Sequence, residues 1–228
     1  MPGASHSKHS KHGQAMHGQY GQRKVDTQPP RPIKVIVCDD SRTAPAYFTE
    51  LGREVRQYVT LGIVRAKCAA SASEVVQRAI EERAKLKKGG ASGDSVWALI
   101  DLEHERHVRR KAEDEKKRAG QFDVAVALSD PCFEVWTLLH LVDTGKHFAN
   151  CDAVIKRIAS AWKSRFKQTF PRKAQADYSK IIELRHEAAC RARRHWEAQD
   201  PSRTEIYKVI EEIESHLPQD GSEASTPA

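Results

Sequence analysis

Two points in the chain place carboxylates directly behind a run of apolar residues. Ile33-Lys34-Val35-Ile36-Val37-Cys38 gives way to Asp39-Asp40, and Ser95-Val96-Trp97-Ala98-Leu99-Ile100 gives way to Asp101-Leu102-Glu103. Short β-branched runs of this kind predict buried strands. In an open parallel α/β sheet, ligands sit beyond the carboxyl ends of the strands. Neighbouring strands lie about 4.8 Å apart, so Asp39, Asp40, Asp101 and Glu103 are placed to share one small volume. Grouped carboxylates repel unless a cation lies between them, and hard oxygen donors select Mg²⁺ or Mn²⁺. The same acids also suit plainer roles as helix caps or hydrogen-bond acceptors at strand ends, where Asp is common.

A third segment runs Ser129-Asp130-Pro131-Cys132-Phe133-Glu134-Val135-Trp136-Thr137-Leu138-Leu139-His140. Ser129 or Asp130 is placed to cap a helix that has Pro131 at its first position. Glu134 falls in the first turn, pointing back toward the strand-end face; interaction with the helix dipole is the alternative role for it. Phe133, Trp136 and Leu139 have the character of core. His140 follows Glu134 by six residues and lies on a different helix face, so the two do not form an obvious acid–base pair.

These segments need a scaffold, and the hydropathy pattern supplies one. Strands are expected over residues 33–38, 60–66, 95–100 and 122–128. Helices are expected over 43–58 and from a Ser71 or Ser73 cap through Val75, Val76, Ala79 and Ile80. A charged, solvated helix is expected over 103–118. A flexible loop is expected over 87–94, and helices over 132–141, 152–162, 174–196 and 202–217. Alternating strands and helices predict an α/β fold: a mainly parallel sheet of about four strands flanked by helices, with a helical C-terminal layer. Residues 1–32 are rich in Gly, Gln, Ser and His, lack periodicity and are expected to be disordered, as are 218–228. One domain is left, 33–217. In the first tail His6, His9, His12 and His17 suit stray transition metals without an organised site.

Hydrophobic residues make up 39% and charged residues 30% of the 228, the balance of a water-soluble globular chain. No apolar run approaches the ~18–20 residues that span a bilayer, so no membrane association is expected. Met1 to His6 contains no apolar core of a signal peptide, which points to the cytoplasm. The five cysteines, Cys38, Cys68, Cys132, Cys151 and Cys190, include no C-x-x-C pair. They are expected to be reduced thiols, most of them buried as small hydrophobes. Net charge is +7, of which the first tail carries five Lys/Arg against one Asp and the last tail two acids, leaving the body at +5. A modestly basic body permits nucleic-acid contact without demanding it.

Together the segments resemble the RloB family. Its first motif has the form I-V-C-E-G-x-x-T-E-x-x-Y-F, matched here by Ile36-Val37-Cys38-Asp39-Asp40-Ser41-Arg42-Thr43-Ala44-Pro45-Ala46-Tyr47-Phe48. Its second, W-x-x-x-D-x-D/E-x-H, is matched by Trp97 through Asp101 and Glu103. Next comes S-N-P-C-F-E-x-W-x-L-L-H, nearly intact over Ser129–His140 and the most specific of the three. Weaker matches are Tyr178-Ser179-Lys180 and the run Asp200-Pro201-Ser202-Arg203-Thr204-Glu205-Ile206-Tyr207. The resemblance covers about residues 33–217.

What the resemblance implies is a Toprim-like fold with one Glu and a D-x-D pair binding Mg²⁺ for phosphodiester chemistry. It also implies a place in bacterial anti-phage defence beside an RloA-type ATPase. Asp39, Asp101, Glu103 and Glu134 would be the catalytic acids, and Asp39, Asp40, Asp101 and Glu103 the metal ligands. Nucleic acid, DNA or RNA, would be the substrate. Arg42, Lys180, Arg191, Arg193 and Arg194 would be available to phosphates. The chain departs from the pattern at the family's Glu (Asp39), the following Gly (Asp40), the Glu after Thr (Ala44), the second Asp (Glu103) and the Asn of S-N-P (Asp130). Asp in place of Glu retracts a carboxylate by about 1.5 Å. That departure opens the alternative of a catalytically degenerate subunit that binds nucleic acid or docks on the ATPase.

Overall fold

The computed structural model describes residues 30–38, 42–66, 70–87, 93–171 and 177–218. Asp39, Asp40 and Cys68, most of the expected 87–94 loop, and nearly all of both tails lie outside the described residues.

Strand β1 (Ile33–Cys38) lies inside a five-stranded sheet of order β2-β1-β3-β4-β5. It pairs in parallel with β2 (Thr60–Arg65) on one side and β3 (Ser95–Asp101) on the other. Next to β3, also in parallel, runs β4 (Ala125–Asp130). The two-residue β5 (Arg203–Thr204) closes that side antiparallel. Helices α1 (Thr43–Val55), α2 (Ala72–Lys87) and α3 (Arg106–Gly120) make the crossovers.

The strands sort their side chains by the period of two that a pleated backbone imposes. Ile36, Cys38, Trp97, Leu99 and Ala127 face α1, where Tyr47, Phe48, Leu51 and Val55 meet them. Val35, Val37, Val96, Ala98, Ile100 and Val126 face the other way, onto Val75, Val76 and Ala79 of α2 and Ala112 and Ala119 of α3. Burial on both faces is why these strands are nearly continuous apolar runs. The C-terminal helices α4 (Glu134–Leu141), α5 (Cys151–Phe166), α6 (Ser179–Ile182), α7 (Arg185–Glu197) and α8 (Ile206–Glu214) extend the first core, burying Trp136, Ile158, Trp162, Ile181 and Ile210. Among the described residues no helix is long and apolar enough to cross a membrane.

The α/β class, the parallel sheet and the helical C-terminal layer agree with the sequence pattern. Among the described residues the sheet has five strands, because Arg203–Thr204 adds an edge strand where a continuous helix was expected over 202–217. The helix expected over 174–196 is two pieces, α6 and α7. Strand β4 starts later than residue 122: α3 runs to Gly120, Asp123 turns through a left-handed φ of 60°, and Phe122 stays exposed. The strand then runs on through Ser129 and Asp130.

Those two residues therefore do not cap α4, and Pro131 is not its first residue. The Asp130–Pro131 bond is cis and the helix opens at Glu134. Ser71 does cap α2. Its Oγ lies 3.4 Å from the Glu74 N–H, and Glu74 Oε2 accepts the Ser71 N–H at 2.8 Å, a reciprocal capping box.

The expectation that all cysteines are reduced is corrected for one pair. Cys132 and Cys151 form a disulfide, with Cα atoms 5.9 Å apart. Their separation of 19 residues carries no local signature; the packing of α4 on α5 brings them together. Cys38 is buried as expected, and Cys190 is exposed.

Candidate functional site

The order β2-β1-β3 reverses at β1, so α1 and α2 leave on opposite faces of the sheet. A crevice opens beyond the strand ends at such a switch point. Here it is a cleft of about 840 Å³ that runs from the β3 end past the first turns of α2, α4 and α5. Asp101, Glu103 and Glu134 all line it, so three of the predicted acids share one space. Asp39 and Asp40 follow Cys38, whose register partner is Leu99, but themselves lie outside the described residues.

The chain beyond β3 is held by backbone bonds. Leu102 N–H donates to Ser129 O at 2.8 Å and Glu103 N–H to Pro131 O at 2.9 Å. Leu102 is buried in the second core, and its neighbours Asp101 (half-buried) and Glu103 (exposed) are left at the cleft. Glu103 and His104 both adopt left-handed backbone, φ 50° and 59°. This turn delays the start of α3 to Arg106, later than the charge pattern predicts.

His104 is drawn inward. Its Nδ1 lies 2.7 Å from Asp130 Oδ1, and its Nε2 contacts the Phe148 carbonyl. Arg109 contacts the other Asp130 oxygen. Asp130 is fully buried, and a buried carboxylate needs such partners. Ser129 Oγ meets Thr204 Oγ1 at 2.8 Å, so the weak motif near the C-terminus braces the third motif through β5.

Glu134 is the first residue of α4 and is 4% exposed. Its Oε1 accepts the Thr43 hydroxyl at 2.9 Å, and Cys151 Sγ lies 3.0 Å from its Oε2. Thr43 opens α1, so this bond ties the first motif to the third. Neither Thr43 nor Cys151 stands out among the acids as a site residue in the sequence. Thr43 carried a signal, its place in the first motif; Cys151 carried none.

The remaining motif residues are core. Tyr47 makes edge contacts with Phe48, Phe133, Trp136 and Tyr178. Tyr47 Oη lies 3.2 Å from His140 Nε2, while His140 Nδ1 lies 2.9 Å from the Trp136 carbonyl. A carbonyl can only accept, so Nδ1 carries the proton and Nε2 accepts from Tyr47. Burial drives the His140 pKa down to about 3 and raises that of Tyr47, so both are neutral. His140 is thus a structural partner of Tyr47, on a different face from Glu134.

The basic residues expected to meet phosphates lie elsewhere. Lys180 reaches Gln168 at 2.7 Å, Arg191 the Leu139 carbonyl at 2.8 Å, and Arg194 Asp143 at 2.5 Å; Arg193 pairs with Glu211. None of these four, nor Arg42, lines the cleft. The cleft instead takes Lys111 and His107 from α3, one turn apart. Both fall in the stretch expected as a charged, solvated helix, where nothing local distinguishes them. Their shared face follows from i,i+4 spacing, but its direction depends on how α3 docks. Among the described residues, neither Asp101 nor Glu103 joins a compact group of three potential metal ligands. Cys132, Glu134 and Cys151 do, with ligand atoms all within 4.8 Å of one another.

No curated protein matches the chain. Among solved structures, a de novo designed Rossmann fold protein aligns with 18% identity over 43% of this chain and 84% of its own, at a TM-score of 0.29. That likeness is too slight to bear on function. The family model described as RloB-like protein matches residues 34–213, the stretch that holds the sheet, the cleft and every motif named above, and the chain belongs to the RloB-like family.

Proposed function

We propose that the protein is a cytoplasmic, Mg²⁺- or Mn²⁺-dependent phosphodiester hydrolase of Toprim type. It acts on DNA or RNA beside an RloA-type ATPase in anti-phage defence. The observation that carries this reading is the convergence of Asp101, Glu103 and Glu134 on one cleft beyond the ends of parallel strands, with Lys111 and His107 on its α3 side. Asp101 and Glu103 offer hard oxygen donors on either side of an anchored Leu102, the ligand chemistry of these cations. A divalent ion held there would supply Lewis-acid stabilisation of phosphoryl oxygens and a more acidic bound water. Lys111 supplies positive charge for a backbone phosphate. Glu134, held by Thr43, adds a third carboxylate to the cleft. Asp39 and Asp40 are proposed as further ligands on the strength of their place in the first motif.

The test is cleavage of DNA and tRNA by purified protein with Mn²⁺, alone and with the ATPase partner. Wild type should cut, and Asp101→Asn should lose at least about a hundredfold in rate, as when one transition-state electrostatic contact is removed. No cleavage under any condition, or an Asp101→Asn variant at wild-type rate, overturns the reading.

A second reading is favoured by the altered first motif, in which Asp39-Asp40 replaces Glu-Gly. In it the protein is a degenerate subunit that binds nucleic acid or docks on the ATPase. Salt-dependent binding of RNA or DNA that ignores EDTA and survives Asp101→Asn would select it.

A further inference from the structure

The cleft holds a second set of donors, of a different chemical character from Asp101 and Glu103. We propose that Cys132, Cys151 and Glu134 form a site for a thiolate-preferring divalent cation, Zn²⁺ being the type, available only while the cysteine pair is reduced. Two sulfurs and one carboxylate oxygen within 4.8 Å of one another form a ligand set suited to zinc and unsuited to Mg²⁺. All three residues line the cleft, so the fourth ligand that a tetrahedral zinc needs would be drawn from the cleft.

The donors stand on fixed points. Cys132 is buried next to Pro131, and Glu134 opens α4 two residues later. Cys151 is the first residue of α5, directly after Asn150, whose side chain caps that helix by accepting the Ala153 N–H at 3.0 Å. Cys151 Sγ already lies 3.0 Å from Glu134 Oε2. With Zn–S bonds of about 2.3 Å and tetrahedral angles, two zinc-bound sulfurs stand roughly 3.8 Å apart. A Cα separation of 5.9 Å accommodates that spacing as well as the disulfide, so side-chain rotation converts one state to the other.

The two states exclude each other. In exchange with a small disulfide such as oxidised glutathione, both cysteine thiols are oxidised to the protein disulfide and the small disulfide is reduced to two thiols; electrons and protons balance. The oxidised pair has no thiolate to offer. In the reduced pair both thiol protons leave when the metal binds. The site shares Glu134 with the proposed hydrolase cleft, but its two sulfur donors and its spectroscopic readout do not depend on cleavage, so the two readings can fail separately.

The experiment uses the full chain, reduced and freed of reductant without air, titrated with Co²⁺ as probe. The expected result is a near-ultraviolet sulfur-to-cobalt charge-transfer band with tetrahedral visible bands, all displaced by Zn²⁺. Cys132→Ser and Cys151→Ser should each weaken or abolish the charge-transfer band, while Cys190→Ser keeps it. Histidine coordinates Co²⁺ through nitrogen, so the histidines of the N-terminal segment cannot produce that band. Wild type oxidised with glutathione disulfide should lose the band and regain it on reduction, a control that needs no folded variant. Absence of the band in reduced wild type, or its survival in the oxidised chain or in Cys132→Ser/Cys151→Ser, overturns the proposal.

Discussion

Acid should unfold this protein partly through His140, and the size of the effect follows from where the ring sits. His140 is fully buried, gives its Nδ1 proton to Trp136 O and accepts from Tyr47 through Nε2. Burial is the largest cause of its depressed pKa, about 3; the Trp136 bond opposes it, and the charges of Arg191 and Arg185 add to it. In the unfolded chain a histidine titrates near 6.5. Between those values the unfolded chain takes up a proton that the fold excludes. Stability is therefore intact above about pH 6.5 and is lost as pH falls toward 3. At ~1.4 kcal/mol per unit, moving from pH 7 to pH 4.5 removes roughly 2–3 kcal/mol through this one ring. The perturbation is His140→Gln, which has no proton to gain. Urea unfolding of both proteins at pH 7 and 4.5 should show the variant less stable at pH 7, by about 1–3 kcal/mol for the disturbed Tyr47 and Trp136 bonds. Its further loss at pH 4.5 should be smaller than that of wild type by roughly 2–3 kcal/mol. Acidic groups common to both proteins cancel in that difference. Equal pH dependence in the two would refute the assignment of a neutral, buried His140.

Three other perturbations follow from the same contacts. Thr43→Val keeps the shape of the side chain but removes a donor to buried Glu134, and should lower unfolding free energy by about 1–3 kcal/mol in urea titrations. Glu212 accepts from Trp97 Nε1 at 2.6 Å and lies 2.5 Å from Lys34 Nζ, itself almost fully buried. Burial works to raise the Glu212 pKa, but the bonds from Lys34, Ser95 and Trp97 outweigh it, so the group is held below the usual range. Glu212→Gln should cost about 3 kcal/mol by leaving the Lys34 charge without its counter-ion, read as a lower urea midpoint. At Gly145 a Cβ would run into the Asp200 carboxylate and stand 3.0 Å from His195 Nδ1. Gly145→Ala should therefore disturb the His195–Asp200 contact and cost about 1–3 kcal/mol by calorimetry or denaturant.

The residue pattern alone was enough to read the scaffold and the strand ends behind which the candidate acids stand. Strands buried on both faces must be apolar throughout, so β1, β3 and most of β4 stood out as runs, and the acids behind two of those runs marked the strand ends. The RloB-like motifs were legible because they combine local strand and helix patterns with packing residues such as Tyr47, Phe133, Trp136 and His140. Other features depended on contacts between distant segments and left no local trace. Arg203–Thr204 is a strand only because β4 offers it an edge, and Asp130 is buried rather than capping because Arg109 and His104 reach it. The orientation of α3 decides that Lys111 and His107 face the cleft. Cys132 and Cys151 meet only because α4 returns onto α5. Hydropathy records which side chains must leave water. Which donors then end up within a few ångströms of one another is settled by how whole elements dock, and that is where this protein's cysteine pair and its Thr43–Glu134 link reside.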